Sequence, residues 1–290
     1  MSEKSMSKDT RKNVILLHIA VMCFSCSGVI GQYVQVPAVQ VAMGRVICSS
    51  LLLLAISLVC KDKLTLDSKK DYGLMILTGV VMAIHWSSFF QSIQTSSVAI
   101  GTITFSTFPL FLTFLEPLLF HEKIRGKNIL NALILLMGVL ITIPEFSVEN
   151  KVTIGILWGM LASFTYAVMT LSNRYFSSRY KGRTICLYEQ GTAAIALLPA
   201  LVLVKAEWRP VDFAGVATIG FLCTAIAYSL YVTAQKGVKA QTAGIISGME
   251  TVYGIVVALI FLREIPTVRE LVGGAVILGI AFYSSLHSED

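Results

Sequence analysis

Hydrophobic positions in this chain gather into ten continuous runs, near residues 14–32, 38–60, 72–92, 97–120, 129–146, 153–173, 184–204, 213–235, 240–262 and 270–287. The apolar positions are contiguous and do not alternate with period two. That predicts helices and argues against the strands of a membrane barrel. Each run has about the 20 residues that a helix needs to cross a bilayer. The polar joins are too short to hold a soluble domain, so catalysis by a separate module is excluded. The first run follows Lys4, Lys8, Arg11 and Lys12 in the manner of a secretory signal, but no convincing small-residue cleavage site follows it. It is expected to stay in the mature fold.

The second half repeats the first at an offset of about 142 residues. Trp86-Ser87-Ser88-Phe89 lines up with Tyr228-Ser229-Leu230-Tyr231, and Phe24 falls on Tyr166. Glu122 in His121-Glu122-Lys123-Ile124 falls on Glu264 in Leu262-Arg263-Glu264-Ile265. Each half holds five runs, and an odd number forces the second copy to cross the membrane in the opposite sense. Such inverted repeats build secondary transporters, with a substrate site between the halves. The expected fold is an all-α polytopic membrane protein, ten transmembrane helices as two inverted five-helix repeats. Its divisions are a cytoplasmic tail (1–13), a first repeat (14–147), a second repeat (148–287) and a short cytoplasmic tail (288–290).

Composition agrees with this pattern. The 290 residues are 55% hydrophobic and 14% charged, more apolar surface than a soluble domain hides. With the N-terminus inside, 17 Lys and Arg fall on the cytoplasmic side and five on the other, which leaves Arg45 inside a run. Both termini are then cytoplasmic, and a bacterial inner membrane is the expected location. The net charge of +6 is a topology signal and calls for no nucleic-acid partner. The six cysteines lie within or at the ends of runs, so no disulfide framework is expected, and Cys23 and Cys26 are read as packing residues.

The chain resembles the EamA-type ten-helix permeases of the drug/metabolite transporter superfamily over nearly its whole length. The resemblance rests on His85-Trp86-Ser87-Ser88-Phe89-Phe90 leading into Val98-Ala99, on Glu122 and Glu264, and on Gly138, Gly273, Gly274 and Gly279. It implies two inverted five-helix repeats around a central cavity, with the fifth and tenth helices as a scaffold. It also implies transport of a small molecule, over a range that includes amino acids, nucleotide sugars and organic cations.

An ionisable group at membrane depth is a functional candidate because hydrocarbon makes it costly. Glu250 lies near the middle of the ninth run beside Thr251 and Tyr253, placed for proton coupling or for an amine. Arg45 is the natural bidentate partner of a carboxylate and falls opposite Glu189-Gln190 under the repeat. A cation in one half and an anion in the other suit a zwitterionic cargo. The alternative is that Arg45 snorkels outward or pairs internally. Glu116, just before Pro117, is a gate candidate or an interfacial acid. Glu122 and Glu264 read as caps or ion-pair partners.

His18 and His85 have the ring chemistry to relay protons or simply to pack helices. No third ligand accompanies them, so no metal and no cofactor are expected. Trp86, Phe89, Tyr228, Tyr231, Tyr166 and Tyr253, with Phe24 and Phe90, are expected to line a cavity and hold an amine or a flat cargo. Trp208 reads as an interface anchor. Gly44, Gly155, Gly159, Gly273, Gly274 and Gly279 read as points of close helix approach, with no sign of oligomerisation.

The expected function is a secondary active transporter of a small metabolite such as an amino acid or related zwitterion, working by alternating access. Export is the expected direction by analogy with the family. Uptake or proton-coupled exchange of organic cations is the alternative; an intramembrane enzyme and a channel are remote ones. No Walker-type glycine loop is present, so the energy source is not ATP hydrolysis by this chain. Expected partners are the small-molecule substrate, protons and the lipid bilayer.

Overall fold

The computed structural model describes residues 8–121, 126–145, 147, 149–235, 238 and 240–286; Glu122 lies outside them. The described residues form helices and no strands. In chain order these are α1 (Lys8–Tyr33), α2 (Ala38–Val59), α3 (Lys69–Thr95), α4 (Val98–Phe105), α5 (Phe108–Phe120), α6 (Gly126–Thr142) and α7 (Lys151–Ser177). There follow α8 (Gly182–Leu197), α9 (Ala200–Leu203), α10 (Pro210–Gly220), a π-helical turn (Phe221–Ile226), α11 (Ala227–Gln235), α12 (Ala240–Phe261) and α13 (Val268–Leu286). Among the described residues seven helical segments are long and apolar enough to cross a membrane, and Gly126–Thr142 and Ile246–Phe261 are shorter apolar helices.

Three of the hydrophobic runs are interrupted. Pro109 sits in the first turn of α5, where its missing N–H breaks the ladder, and Thr107 donates back to the Thr104 carbonyl (2.7 Å) across the joint. Pro199 separates α8 from α9. The π turn widens the third interrupted run, and Thr224 donates to the Ile219 carbonyl five residues back (2.7 Å).

The repeat is visible in the backbone. His121 and Arg263, 142 positions apart, both take left-handed conformations, at φ 55° and 57°, just past the helices they follow. Packing exchanges elements between the halves. The α3 helix runs along α7, joined by Thr78 to Ser172 (2.6 Å), His85 to the Ala162 carbonyl (2.8 Å) and Ser92 to the Gly155 carbonyl (2.7 Å). The α4 helix also lies on α7. In the same manner α1 packs on α11 and α12, with His18 to Tyr253 (2.7 Å) and Ser25 to the Glu250 carbonyl (2.8 Å). Two bodies result, α3–α4–α7 and α1–α11–α12, each built from both halves of the sequence.

Two matching staples tie the helix ends. The third residue of α3, Asp71, accepts from the Arg179 guanidinium (2.9 Å), three residues before α8 begins. The third residue of α10, Asp212, accepts from the Gln35 amide (3.0 Å), three residues before α2 begins. The third residue of α8, Thr184, donates to the Lys63 carbonyl (3.2 Å), and the third residue of α2, Gln40, donates to the Val204 carbonyl (2.6 Å). The staples lie at opposite ends of α2 and differ in charge. Asp62, its side chain fully buried, pairs with Lys181 (2.9 Å) and Arg183 (2.7 Å) across the first. Across the second no ion pair is found among the described residues, because Asp212 takes its cation from Arg209 on its own segment (2.6 Å).

Small residues set the remaining close approaches. A Cβ on Gly273 would lie 2.6 Å from the Gly138 carbonyl, so α6 and α13 touch backbone to backbone. Gly44, Gly155, Gly159 and Gly274 also face neighbouring helices. Gly279 does not: nothing lies within 4 Å of a Cβ placed there, because it points out of the bundle. Trp208, in the loop before α10, is partly buried. Its indole N–H donates to Gln40 (3.0 Å) and its ring lies 4.6 Å from Phe213, which makes it part of a staple.

Candidate functional site

Arg45 is the centre of the site. It sits about two turns into α2, 3% exposed, with its guanidinium carbon 3.4 Å from the centroid of the Trp86 ring. Phe90 lies beyond, at 5.8 Å. Its hydrogen bond goes to the Ser27 hydroxyl at a long 3.5 Å, and its Nε has no partner. Among the described residues it makes no ion pair; it neither snorkels to water nor finds an internal acid. A cation–π contact contributes about 2 kcal/mol when desolvated. The desolvation of a buried charge is several kcal/mol, so the stack alone does not compensate it.

Glu250 occupies the middle of α12 and is half-buried. Arg45 is the charged group it senses, with no direct ion pair between the two among the described residues. Its own backbone carbonyl is held by Ser25, and Thr251 beside it bonds Ser106 (2.6 Å). Tyr166 stands among Phe105 (4.9 Å), Phe108 (5.0 Å) and His85 (5.6 Å) and lies within electrostatic reach of both Glu250 and Glu189. Glu189 on α8 is 1% exposed with Oε1 unpartnered, near Tyr228 and Cys186. Its neighbour Gln190 accepts from Ser49 where α8 crosses α2.

The other sequence candidates separate by role. Trp86 supports Arg45 directly. Phe89 is 3% exposed and walled in by Trp86, Phe90, Phe105 and His85, a position behind the site. Tyr228 stands beside Gly182 and Cys186. Tyr231 bonds Ser247 (2.6 Å) and packs on Phe24 (6.0 Å), and Tyr253 is bound by His18. His85 is 1% exposed, and its Nδ1 meets the Ala162 carbonyl, so the ring clamps α3 to α7. Glu116 is removed from this group: it pairs with Arg174 on α7, whose guanidinium also lies 4.3 Å from the Phe120 ring. Glu264 lies at the start of α4 against Ser97, Val98 and Ala99, and burial pushes its carboxyl above the usual range. Ser27, Phe105 and Phe108 were not singled out from the sequence. Small hydroxyl and aromatic residues in apolar runs carry no signal of their own there.

The model of the EamA-like transporter family matches residues 11–143 and again 153–286. An uncharacterized transporter YxxF of Bacillus subtilis is 22% identical over 272 residues, 92% of this chain and 87% of that protein. An uncharacterized transporter of Clostridium kluyveri is 25% identical over 267 residues, 87% of this chain and 83% of that one. A third, from Archaeoglobus fulgidus, is 24% identical over 192 residues, 66% and 68% of the two chains. A solved crystal structure of a protein, 15% identical, superposes with a TM-score of 0.63 over 96% of this chain and 97% of that one, which shows the fold alone.

Proposed function

The chain belongs to the EamA-like transporter family, and from that premise we propose that it is a secondary active transporter of a small zwitterionic metabolite, such as an amino acid, working by alternating access. Family and relatives indicate an integral membrane transporter rather than an enzyme. We read the ten helical runs as ten crossings in two inverted repeats, 14–147 and 148–287, with both termini in the cytoplasm of a bacterial cell and export as the direction.

Arg45 carries this reading. A buried guanidinium without a carboxylate is an unsatisfied anion site, and its planar fork fits a cargo carboxylate bidentately while Trp86 supports the opposite face. Glu250 and the Tyr166 ring supply the other pole for an ammonium group. A cargo that is only a cation would leave Arg45 uncompensated, so the geometry favours the zwitterion over an organic cation. Glu189 and Glu250 are the carboxyls available for a coupled proton, since His18 and His85 are engaged in packing contacts.

The test is a thermal-shift screen of amino acids, amines, nucleosides and sugars on purified protein, because a ligand that binds only the folded state raises its melting temperature. The expected hit bears both charges and is lost in Arg45→Ala and in Glu250→Gln. An amine lacking a carboxylate that stabilises Arg45→Ala as well as the parent overturns the assignment. Glu250→Gln also removes the pH dependence of transport if Glu250 carries the proton; a surviving dependence moves that role to Glu189.

A further inference from the structure

The two bodies meet along a seam on one side of the site. At midspan Thr251 of α12 bonds Ser106 (2.6 Å) and the Thr102 carbonyl (3.3 Å). Toward the face that carries the α1–α2 turn, Ile93 lies against Gly28 and Phe90 against Gly31. The side-chain amide of Gln94 donates to the carbonyls of Gly31 (3.2 Å) and Val36 (3.0 Å). The described hydrogen bonds between the bodies thus run from midspan to this one face. A cleft of about 360 Å³, lined by Gln32, Val34, Gln35, Val36, Pro37 and Gln94, sits at the end of the seam.

The chemistry of this seam is reversible. Gly31 and Val36 offer carbonyls at and beyond the last turn of α1, groups that water satisfies as well as an amide does. A neutral hydrogen bond of this kind contributes only about 0.5–1.5 kcal/mol net. The packing is equally conditional: a Cβ on residue 31 would lie 2.5 Å from the Phe90 ring, so the ring seats only against glycine. By contrast, α3 and α7 are bonded along their whole length.

We infer that Gly31, Phe90 and Gln94 form a gate that shuts the site from the α1–α2 face. The inference rests on the transport reading above and adds the residues that alternate access requires.

A cysteine in place of Ser27, whose hydroxyl meets Arg45 at the site, reports on it. In full-length protein carrying Ser27→Cys with Cys23→Ser, Cys26→Ser, Cys48→Ser, Cys60→Ser, Cys186→Ser and Cys223→Ser, a membrane-impermeant maleimide is applied to right-side-out and inverted vesicles. Labelling of Ser27→Cys from the α1–α2 face is expected to be slow. Gln94→Ala and Gly31→Ala are each expected to raise labelling from the α1–α2 face about tenfold, equivalent to about 1.4 kcal/mol of bias. Fast labelling from the α1–α2 face in the parent, or no change in Gln94→Ala, overturns the gate. Gln94→Ala deletes neutral hydrogen bonds only, so it decides the matter where Gly31→Ala fails to accumulate. No cargo is needed: an empty ligand screen counts against the zwitterion reading, while the labelling result bears on the gate alone.

Discussion

Arg45 illustrates how function and stability oppose each other at one side chain. Replacing even a buried ion pair by apolar residues of similar volume is often neutral or stabilising by about 1–4 kcal/mol, and a buried charge without an ion-pair partner has no Coulombic gain to lose. Arg45→Met is therefore expected to raise the melting temperature of the ligand-free protein while abolishing stabilisation by a carboxylate-bearing cargo. Arg45→Lys keeps the charge but loses the fork and the planar stack on Trp86, and is expected to weaken the same ligand at least about tenfold. A melting curve with and without ligand checks both; a less stable Arg45→Met that still binds would contradict the assignment. Asp62 behaves differently. Hydrogen bonds from Arg183 and Lys181 hold its carboxyl down to about 2. Below its unfolded value of about 3.9, that contribution is present at neutral pH and is lost as pH falls toward about 2. Asp62→Asn is expected to lower stability at pH 7, to matter progressively less under acid, and to lose part of its effect in high salt. Melting temperatures across pH and salt measure each part.

The helical elements show what an apolar pattern reveals and what it hides. Ten runs were legible because a bilayer demands length and continuity from any crossing segment. The joint at Ser106–Thr107 and the π turn were not, since a proline or an extra residue disturbs the ladder without interrupting hydrophobicity. Arg45, Glu189 and Glu250 stood out in the sequence because charge is rare at that depth. Gln94 and Ser27 did not, because neutral polar groups occur in many crossings and only the partner tells which one matters. The same limit explains Gly279, whose expected packing role needed a neighbour that is not there. This separates two glycines on α13. Gly273→Ala forces α6 and α13 apart and is expected to cost about 1–3 kcal/mol, whereas Gly279→Ala is expected to be neutral or slightly stabilising. Chemical denaturation of the two variants in one detergent compares them directly.

For the whole molecule, the exchange of helices between the halves means that, under the alternating access proposed above, the moving parts would not coincide with the sequence repeats. If α3 and α7 travel together, joining them leaves the cycle intact. A disulfide between Thr78→Cys and Ser172→Cys, whose hydroxyls now touch at 2.6 Å, is expected to preserve ligand stabilisation and, in the Ser27→Cys background, labelling at that position, in protein otherwise lacking native cysteines. Loss of either on oxidation, with recovery on reduction, would show that the two helices separate during the cycle. The repeat at 142 residues announced the two-fold plan in the sequence. Which half lends a helix to which body was not readable there, because both arrangements bury the same apolar faces.

That exchange also imposes a schedule on synthesis. While the ribosome is still completing the first half, His85, Ser92 and Thr78 already lie in α3, yet the α7 groups that bond them have not been made. His18 and Ser25 of α1 wait longer still, for α12 near the end of the chain. The nascent first half must therefore hold its polar groups in lipid without their final partners, shielded by transient neighbours or by the insertion machinery. A message cut short after the first half yields a polypeptide that can close neither body.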